Sequence, residues 1–138
     1  MPLIGWDLTD AAHKLGEEEA GRAYRLMYDA VEHLRRTVRE HNIACDMEET
    51  GYLLLATSKA RLGRVRHEVE LGKRLGFDLA YLDGDALREH ISSASFIAGA
   101  YDPHPFIVNP AKLARGLKAV AERLGVRVFE QSTVVTLD

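Results

Sequence analysis

Cys45 is the single cysteine in this chain of 138 residues, and its thiol is the first group to weigh for chemistry. A cysteine becomes a nucleophile when a histidine lies close enough to take its proton. His41 and Asp46 are near Cys45 in sequence, but they straddle a predicted helix end and a predicted strand start. The sequence therefore favours Cys45 as a small buried core residue. A small enzyme that uses Cys45, or a histidine and aspartate pair, remains the alternative.

Asp102 and His104 form a second candidate pair, because they flank Pro103 in a short proline-rich loop. Loops often carry functional side chains. Aspartate before proline is also typical of turns. The sequence favours this turn-forming role for Asp102. It identifies no catalytic side chain.

The chain has six histidines, none in a zinc-site spacing, and Cys45 has no second cysteine near it. The sequence therefore predicts no metal site. It also contains neither Gly-x-Gly-x-x-Gly nor Gly-x-x-x-x-Gly-Lys-[Ser/Thr]. A dinucleotide cofactor needs such a loop so that backbone N–H groups can approach its pyrophosphate. We expect the isolated chain to bind FAD or NAD weakly or not at all.

Length, composition and charge limit the classes of protein to which this chain can belong. The chain has the length of one ordinary domain, with a formal net charge of −3 and 46% hydrophobic residues. This charge gives no reason to expect nucleic acid or an anionic membrane as partner. No apolar run approaches the roughly 20 residues of a membrane-spanning helix. A single cysteine excludes an internal disulfide, which favours a cytoplasmic location.

One predicted helix carries four basic residues on a rough common face, and two acidic residues on the same helix dilute their charge. The basic residues are Lys59, Arg66, Lys73 and Arg74, and the acidic residues are Glu68 and Glu70. Because both signs are mixed, the pattern indicates a solvated surface.

Helices and strands must position these residues. The spacing of apolar residues and the start and stop signals of helices predict where these elements lie. Helices are predicted at 17–41, 59–75, 83–91 and 109–124. Strands are predicted at 43–47, 52–57, 79–82, 95–101, 126–130 and 133–137, and residues 1–16 are expected to be irregular. The mixture of helices and separated strands predicts an α/β fold (α+β mixed).

Several stretches, taken in order, resemble one enzyme family. Residues 41–46 contain Ile-x-Cys-Asp, and residues 49–53 contain Thr-Gly-Tyr-Leu. Residues 99–103 come next. Residues 108–130 contain the Asn-Pro start of the last helix and the segment Gly-Val-Arg-Val-Phe-Glu. This series resembles the FAD-dependent amine and amino-acid oxidoreductases, a group that includes D-amino acid oxidase, glycine oxidase, sarcosine oxidase and γ-glutamylputrescine oxidoreductase. The last branch is the nearest in character.

The resemblance implies a two-domain enzyme that uses FAD to oxidise the C–N bond of a small-molecule amine or amino acid. Residues 1–108 would form the long helix and part of the substrate-binding domain. Residues 109–138 would form part of the FAD-binding domain. The resemblance carries one site residue over, Val134, whose main chain would contact the adenine end of FAD.

The family's glycine-rich βαβ unit and its C-terminal half have no counterpart in this sequence. We therefore expect a middle fragment that is colourless and inactive alone. The alternative is a non-enzymatic binding or assembly module, or one chain of a split enzyme. Strands without partners leave open edges, so either version predicts self-association or a complementary chain.

Overall fold

The computed structural model describes residues 5–136, which fold into helices packed on a small sheet. The helices are α1 Leu8–Leu15, α2 Glu17–Glu40, α3 Lys59–Arg74, α4 Gly84–Arg88 and α5 Pro110–Arg123, and the strands are β1 Tyr52–Ala56, β2 Ala80–Leu82 and β3 Ala98–Asp102. This confirms the mixed α/β fold class. It also confirms the predicted positions of α2, β1, α3 and α5, with ends that differ only slightly.

The three strands form an antiparallel sheet in the order β1-β3-β2. The register places Tyr52 opposite Asp102 and Tyr81 opposite Ala100. The central strand β3 is rich in small residues, and Ala98 and Ala100 are buried. Small side chains on this strand let helix α3 pack closely against the sheet.

The main core lies between the sheet and helices α1, α2 and α3. Its largest fully buried apolar side chains include Leu8, Tyr24, Leu71 and Leu79. Burying an apolar side chain of this size contributes roughly 1.5–3 kcal/mol. Tyr24, in the N-terminal half of helix α2, packs in this core.

A second, smaller core joins the other end of α2 to α5. It consists of Val38, Ile43, Cys45 and Val120. A Cβ atom on Gly116 of α5 would lie 2.2 Å from Cγ2 of Ile43. The close approach of α5 to residues 43–47 therefore depends on the missing side chain at Gly116.

Residues 8–15 form helix α1, so the prediction that residues 1–16 are irregular was wrong over that stretch, and residues 1–4 lie outside the described residues. Asp7 is the N-cap, and its carboxylate accepts the backbone N–H of Asp10 at 2.9 Å. The helix is short, and isolated helices of this length are unstable in water. Contacts with distant residues stabilise it, and these contacts are not visible in the local sequence.

Residues 43–47 were predicted as a strand, and the structure places them outside the sheet. Asp46 has φ 52, in the left-handed region that an extended strand excludes. The next pairing is a single antiparallel bridge between Glu48 and Ile107. The apolar residues of this segment enter the second core instead of a β ladder.

The predicted strands 126–130 and 133–137 are also corrected, because residues 126–136 lie outside any strand; Leu137 lies outside the described residues. Phe129 is 70% exposed and Val135 is 91% exposed. Residues with a high β propensity form a strand only when a neighbouring strand accepts their hydrogen bonds. In the described part of the chain no strand pairs with this segment.

The four basic residues of α3 predicted to form a solvated surface, Lys59, Arg66, Lys73 and Arg74, are exposed, and Glu68 is the exception among the charged residues considered with them. Its side chain is completely buried. The carboxylate accepts the backbone N–H of Leu8 at 2.8 Å, the N–H of Thr9 at 2.9 Å, and the Thr9 hydroxyl at 2.5 Å. The first N–H groups of a helix have no partner within the helix, and its dipole favours a negative charge there. Glu68 thus holds the N-terminus of α1 against α3.

We predict that Glu68→Ala lowers the free energy of unfolding by about 3 kcal/mol, because it leaves buried N–H groups without a partner and opens a cavity. Urea denaturation followed by circular dichroism measures this change. Glu70→Ala, an exposed position on the same helix, is the matched control and should change stability by less than about 0.5 kcal/mol. Equal effects of the two variants would contradict the capping role of Glu68.

Candidate functional site

Asp102 lies at the end of β3, is 1% exposed, and joins three parts of the fold. Tyr28 on α2 donates its hydroxyl to Asp102 Oδ2 at 2.6 Å. The backbone N–H of His104 donates to Asp102 Oδ1 at 3.1 Å, and His104 Nδ1 lies 3.0 Å from the same oxygen. The N–H bond confirms the predicted turn-forming role of Asp102. The structure therefore brings together Asp102 and His104, the pair that the sequence singled out.

The rings of Tyr28, Phe77 and His104 pack together beside this carboxylate. Tyr28 stacks on Phe77 with 5.1 Å between ring centres and 20° between planes. His104 meets Tyr28 edge-on, with 5.2 Å between centres and 84° between planes. When Nδ1 of His104 carries the proton donated to Asp102, Nε2 is left as a hydrogen-bond acceptor. The cluster thus presents one oriented imidazole beside an aromatic surface.

Arg35 anchors the loop that follows β3 to helix α2. Its side chain is only 11% exposed, and its Nε lies 2.9 Å from Glu49 Oε1. It also pairs with Glu32 and donates to the backbone carbonyl of His104. Its guanidinium carbon lies 5.2 Å from the ring centre of Phe106. These contacts hold the loop that contains His104 against α2.

Sequence reasoning missed Tyr28 and Arg35. Both lie on α2, about two helical turns apart, and therefore on one face of the helix. A tyrosine and an arginine that lie at the edge of the apolar face of one helix indicate polar contacts between that helix and another part of the fold. Their partners are distant in sequence, so the pattern alone does not show what they contact.

An open cleft of about 350 Å³ lies between α2, the turn after α3, and the loop after β3. Its lining residues are Arg25, Tyr28, Asp29, Val31, Glu32, Arg35, Leu75, Gly76, Phe77, Asp78 and His104. The aromatic cluster forms its inner wall. Cavities of this size that combine apolar walls with a few oriented polar groups are typical of small-molecule sites.

The other candidate trio, His41, Cys45 and Asp46, does not converge. Cys45 is 1% exposed and packs in the second core. Asp46 accepts a hydrogen bond from Lys112 Nζ at 2.7 Å. In the span that the structure describes, no interaction links Cys45 to a histidine. This confirms the interpretation of Cys45 as a core residue.

Val134 lies in the segment after α5, and its side chain is 72% exposed. No hydrogen bond engages its backbone within residues 5–136. Its main-chain contact with the adenine end of FAD stays a prediction. The same residues contain no group of three or more histidine, cysteine, aspartate or glutamate side chains placed to hold a metal ion. None of their helices has both the length and the apolarity to cross a membrane.

Comparison with known proteins assigns the family. Residues 5–138 match the family described as FAD dependent oxidoreductase. The chain is 27% identical over 126 residues to the probable oxidoreductase OrdL of Haemophilus influenzae, covering 90% of this chain and 29% of that protein. It is 29% identical over 133 residues to gamma-glutamylputrescine oxidoreductase of Escherichia coli, covering 95% of this chain and 31% of that protein. The chain belongs to the FAD-dependent oxidoreductase family.

Solved structures share the fold. Glycine oxidase from Bacillus cereus superposes with a TM-score of 0.61 at 20% identity, over 94% of this chain and 34% of that one. Glycine oxidase from Geobacillus kaustophilus gives a TM-score of 0.58 at 21% identity, over 93% of this chain and 32% of that one. The chain therefore spans about a third of the length of the proteins that it matches.

The pKa values of two tyrosine hydroxyls, that of buried Tyr24 and that of half-buried Tyr28, are raised, which couples folding to alkaline pH. Burial, and then the hydrogen bond and charge of Asp102, raise the pKa of Tyr28 above its usual 10.0. Burial, and then the charge of Glu68, raise the pKa of Tyr24, whose hydroxyl donates to the carbonyl of Trp6. Above pH of about 10 the unfolded chain loses these protons while the folded chain keeps them. The stability that they contribute is complete below that pH and is lost as pH rises.

We predict that the free energy of unfolding of the wild-type chain falls steeply between about pH 10 and 11, measured by urea denaturation. The double variant Tyr24→Phe, Tyr28→Phe should be less stable at neutral pH, yet show a flatter slope in this window. Tyr101→Phe leaves both phenols intact and should keep the wild-type slope. A double variant with the wild-type slope would show that these tyrosines do not cause it.

Proposed function

We propose that this chain forms part of an FAD-dependent oxidoreductase that oxidises the C–N bond of an amine or amino acid. The observation that carries the proposal is the family match over residues 5–138. The names of the relatives add the substrate class, since one is a gamma-glutamylputrescine oxidoreductase and two neighbours in fold are glycine oxidases. In such an enzyme the flavin supplies the redox chemistry, while the protein binds and orients the substrate.

The residues of this chain do not fit the whole cofactor. A pyrophosphate needs backbone N–H groups from a glycine-rich loop at a helix N-terminus. Helix α5 begins instead at Asn109 and Pro110, where the Asn109 side chain already accepts the N–H of Lys112. The backbone of Val134 makes no hydrogen bond within residues 5–136, which suits a contact with the adenine end. We therefore propose that the chain alone neither retains FAD nor carries out the reaction.

The division into two parts at about residue 108 belongs to the same proposal. Two separate cores support it, because the sheet packs with α1, α2 and α3, whereas α5 packs with residues 43–47 and the end of α2. Helix α2 contributes Tyr24 to the first core and Val38 to the second. Residues 1–108 would belong to the substrate-binding side and residues 109–138 to the FAD-binding side.

A second candidate function is a non-enzymatic assembly module, or one chain of a split enzyme. The exposed apolar side chains after α5 favour it, since Leu124 is 72% exposed and Phe129 is 70% exposed. Strands β1 and β2 also each have one edge without a partner in the described part of the chain. Apolar surface and open edges favour association with another chain. We place this association, like the proposed enzyme, in the cytoplasm.

We predict that the purified 138-residue chain is colourless, binds no stoichiometric FAD, and oxidises no amine. An absorption spectrum and a fluorescence titration with FAD measure this, and circular dichroism controls for folding. Light scattering should detect species larger than a monomer at high concentration. A flavin spectrum near one equivalent would contradict the inactivity of the isolated chain, and a clean monomer would contradict self-association.

A chimera tests the assignment of function and of Val134. In it, this chain replaces the matching segment of the Escherichia coli gamma-glutamylputrescine oxidoreductase. We expect the chimera to bind FAD, and Val134→Pro, which removes the backbone N–H, to weaken FAD binding by roughly tenfold. Val135→Pro, at the neighbouring position, is the control and should have a smaller effect. Equal effects of the two prolines would contradict a specific contact at Val134.

A further inference from the structure

We propose that helix α5, together with residues 124–136, opens from the rest of the chain as one unit while the main core stays folded. Opening exposes the thiol of Cys45, which is 1% exposed when the unit is closed. The inference rests on the contacts that hold α5 in place. It requires no flavin and does not depend on the proposed oxidoreductase activity.

Helix α5 takes no part in the main core, whose buried members all lie within residues 8–100. Among residues 5–136, no Cα atom of α5 lies within 8 Å of a Cα atom in another helix or strand. Its packing partners are instead residues 43–47 and side chains from the end of α2. Opening of α5 therefore leaves the packing of the sheet with α1, α2 and α3 unchanged.

The contacts that close the unit are few. Val120 is the one buried residue of α5, and it packs with Cys45 in the second core. The backbone N–H of Asn109 donates to the carbonyl of Cys45 at 2.8 Å. The Lys112 ammonium donates to Asp46, but both side chains are about half exposed, so this pair contributes little. Opening thus costs much less free energy than unfolding of the whole chain.

The hinge of the unit lies directly before α5. Ile107 and Glu48 exchange two backbone hydrogen bonds of 2.9 Å, which fix the loop after β3 to the segment before β1. Beyond this bridge only residues 108 and 109 remain before the helix begins at Pro110. Rotation about their backbone bonds is enough to lift α5 without breaking the bridge.

The segment after α5 moves with the helix. Within residues 5–136, every hydrogen bond and ion pair of residues 124–136 stays inside that segment or goes to α5. The N–H of Val126 donates to the carbonyl of Ala121, and Lys118 pairs with Glu130 at 2.9 Å. No polar contact therefore ties this segment to the main core and prevents opening.

The chain carries one natural reporter for each part of the fold. Cys45 is its single cysteine and lies in the second core. Trp6 is its single tryptophan, and the Trp6 carbonyl accepts the hydroxyl of Tyr24 in the main core at 2.8 Å. Opening is measured by the rate at which Cys45 reacts with 5,5′-dithiobis(2-nitrobenzoate). Global unfolding is measured by Trp6 fluorescence.

We expect Cys45 in the whole 138-residue chain to react roughly a hundredfold more slowly than in the urea-unfolded chain, because the closed unit covers it. The reaction should still be at least about tenfold faster than global unfolding alone allows. As urea is added, it should accelerate at concentrations where Trp6 fluorescence is still native. Amide hydrogen exchange is an independent measurement, and α5 should exchange well before α3.

Gly116→Ala is the variant that should favour opening. The added Cβ would lie 2.2 Å from Cγ2 of the buried Ile43, so we expect Cys45 to react roughly tenfold faster while the Trp6 transition stays unchanged. Gly63→Ala on α3 is the matched control, because a Cβ there meets no atom within 4 Å. It should leave the Cys45 rate at the wild-type value.

Asp46→Asn removes the charge that Lys112 pairs with, and Asn tolerates the left-handed backbone of this residue. It should speed the Cys45 reaction by roughly two- to fivefold. Asp85→Asn removes the exposed partner of Arg88, outside the second core, and should have no effect. Each rate is divided by that of the same variant unfolded in urea, which corrects for changes in the reactivity of the thiol itself.

The proposal is overturned if Cys45 reacts only as fast as global unfolding allows, with the urea dependence of Trp6 fluorescence. It is equally overturned if α5 and α3 exchange their amide hydrogens together, or if Gly116→Ala and Gly63→Ala give the same Cys45 rate. None of these readouts involves flavin. Failure of the proposed oxidoreductase function would leave this test unaffected, and failure here would leave that function standing.

Discussion

The buried carboxylate of Asp102 is the constraint on which the arrangement around the cleft depends. A charged carboxylate in the interior is costly unless it is paired or hydrogen-bonded. Here it is reached by the hydroxyl of Tyr28 and by two nitrogens of His104. These contacts tie the middle of α2 to the end of the central strand and to the loop that follows. The position of that loop, and with it the cleft, depends on these contacts of Asp102 together with the Arg35 contacts from α2.

Helix α2 is the element that both cores share. Near its N-terminal end Tyr24 enters the main core, and near its C-terminal end Val38 enters the second. Between them Tyr28 and Arg35 hold the loop after β3. Helix α2 therefore contributes to both cores, at two levels along its length.

The same physical reason explains the corrections at both ends of the chain. Helix α1 forms although its local signal is short, because Glu68 accepts hydrogen bonds from its first residues across a distance of 60 in sequence. Residues 126–136 stay outside any strand although their composition favours one, because no strand of the described chain pairs with them. In both cases a partner far away in sequence, present or absent, overrides the local preference.

The sequence by itself determined the elements whose signals are local. The apolar periodicity of α2 and α3, the Asn109-Pro110 start of α5 and the run of β1 each depend on neighbouring residues only, and the ordered series of short stretches indicated the family. Only the tertiary structure decided that Glu68 is buried, that Cys45 has no histidine partner, and that Tyr28 and Arg35 meet the Asp102 loop. These features arise where elements distant in sequence pack together and leave buried polar groups that must find partners. No periodicity or end signal records which partner each group finds.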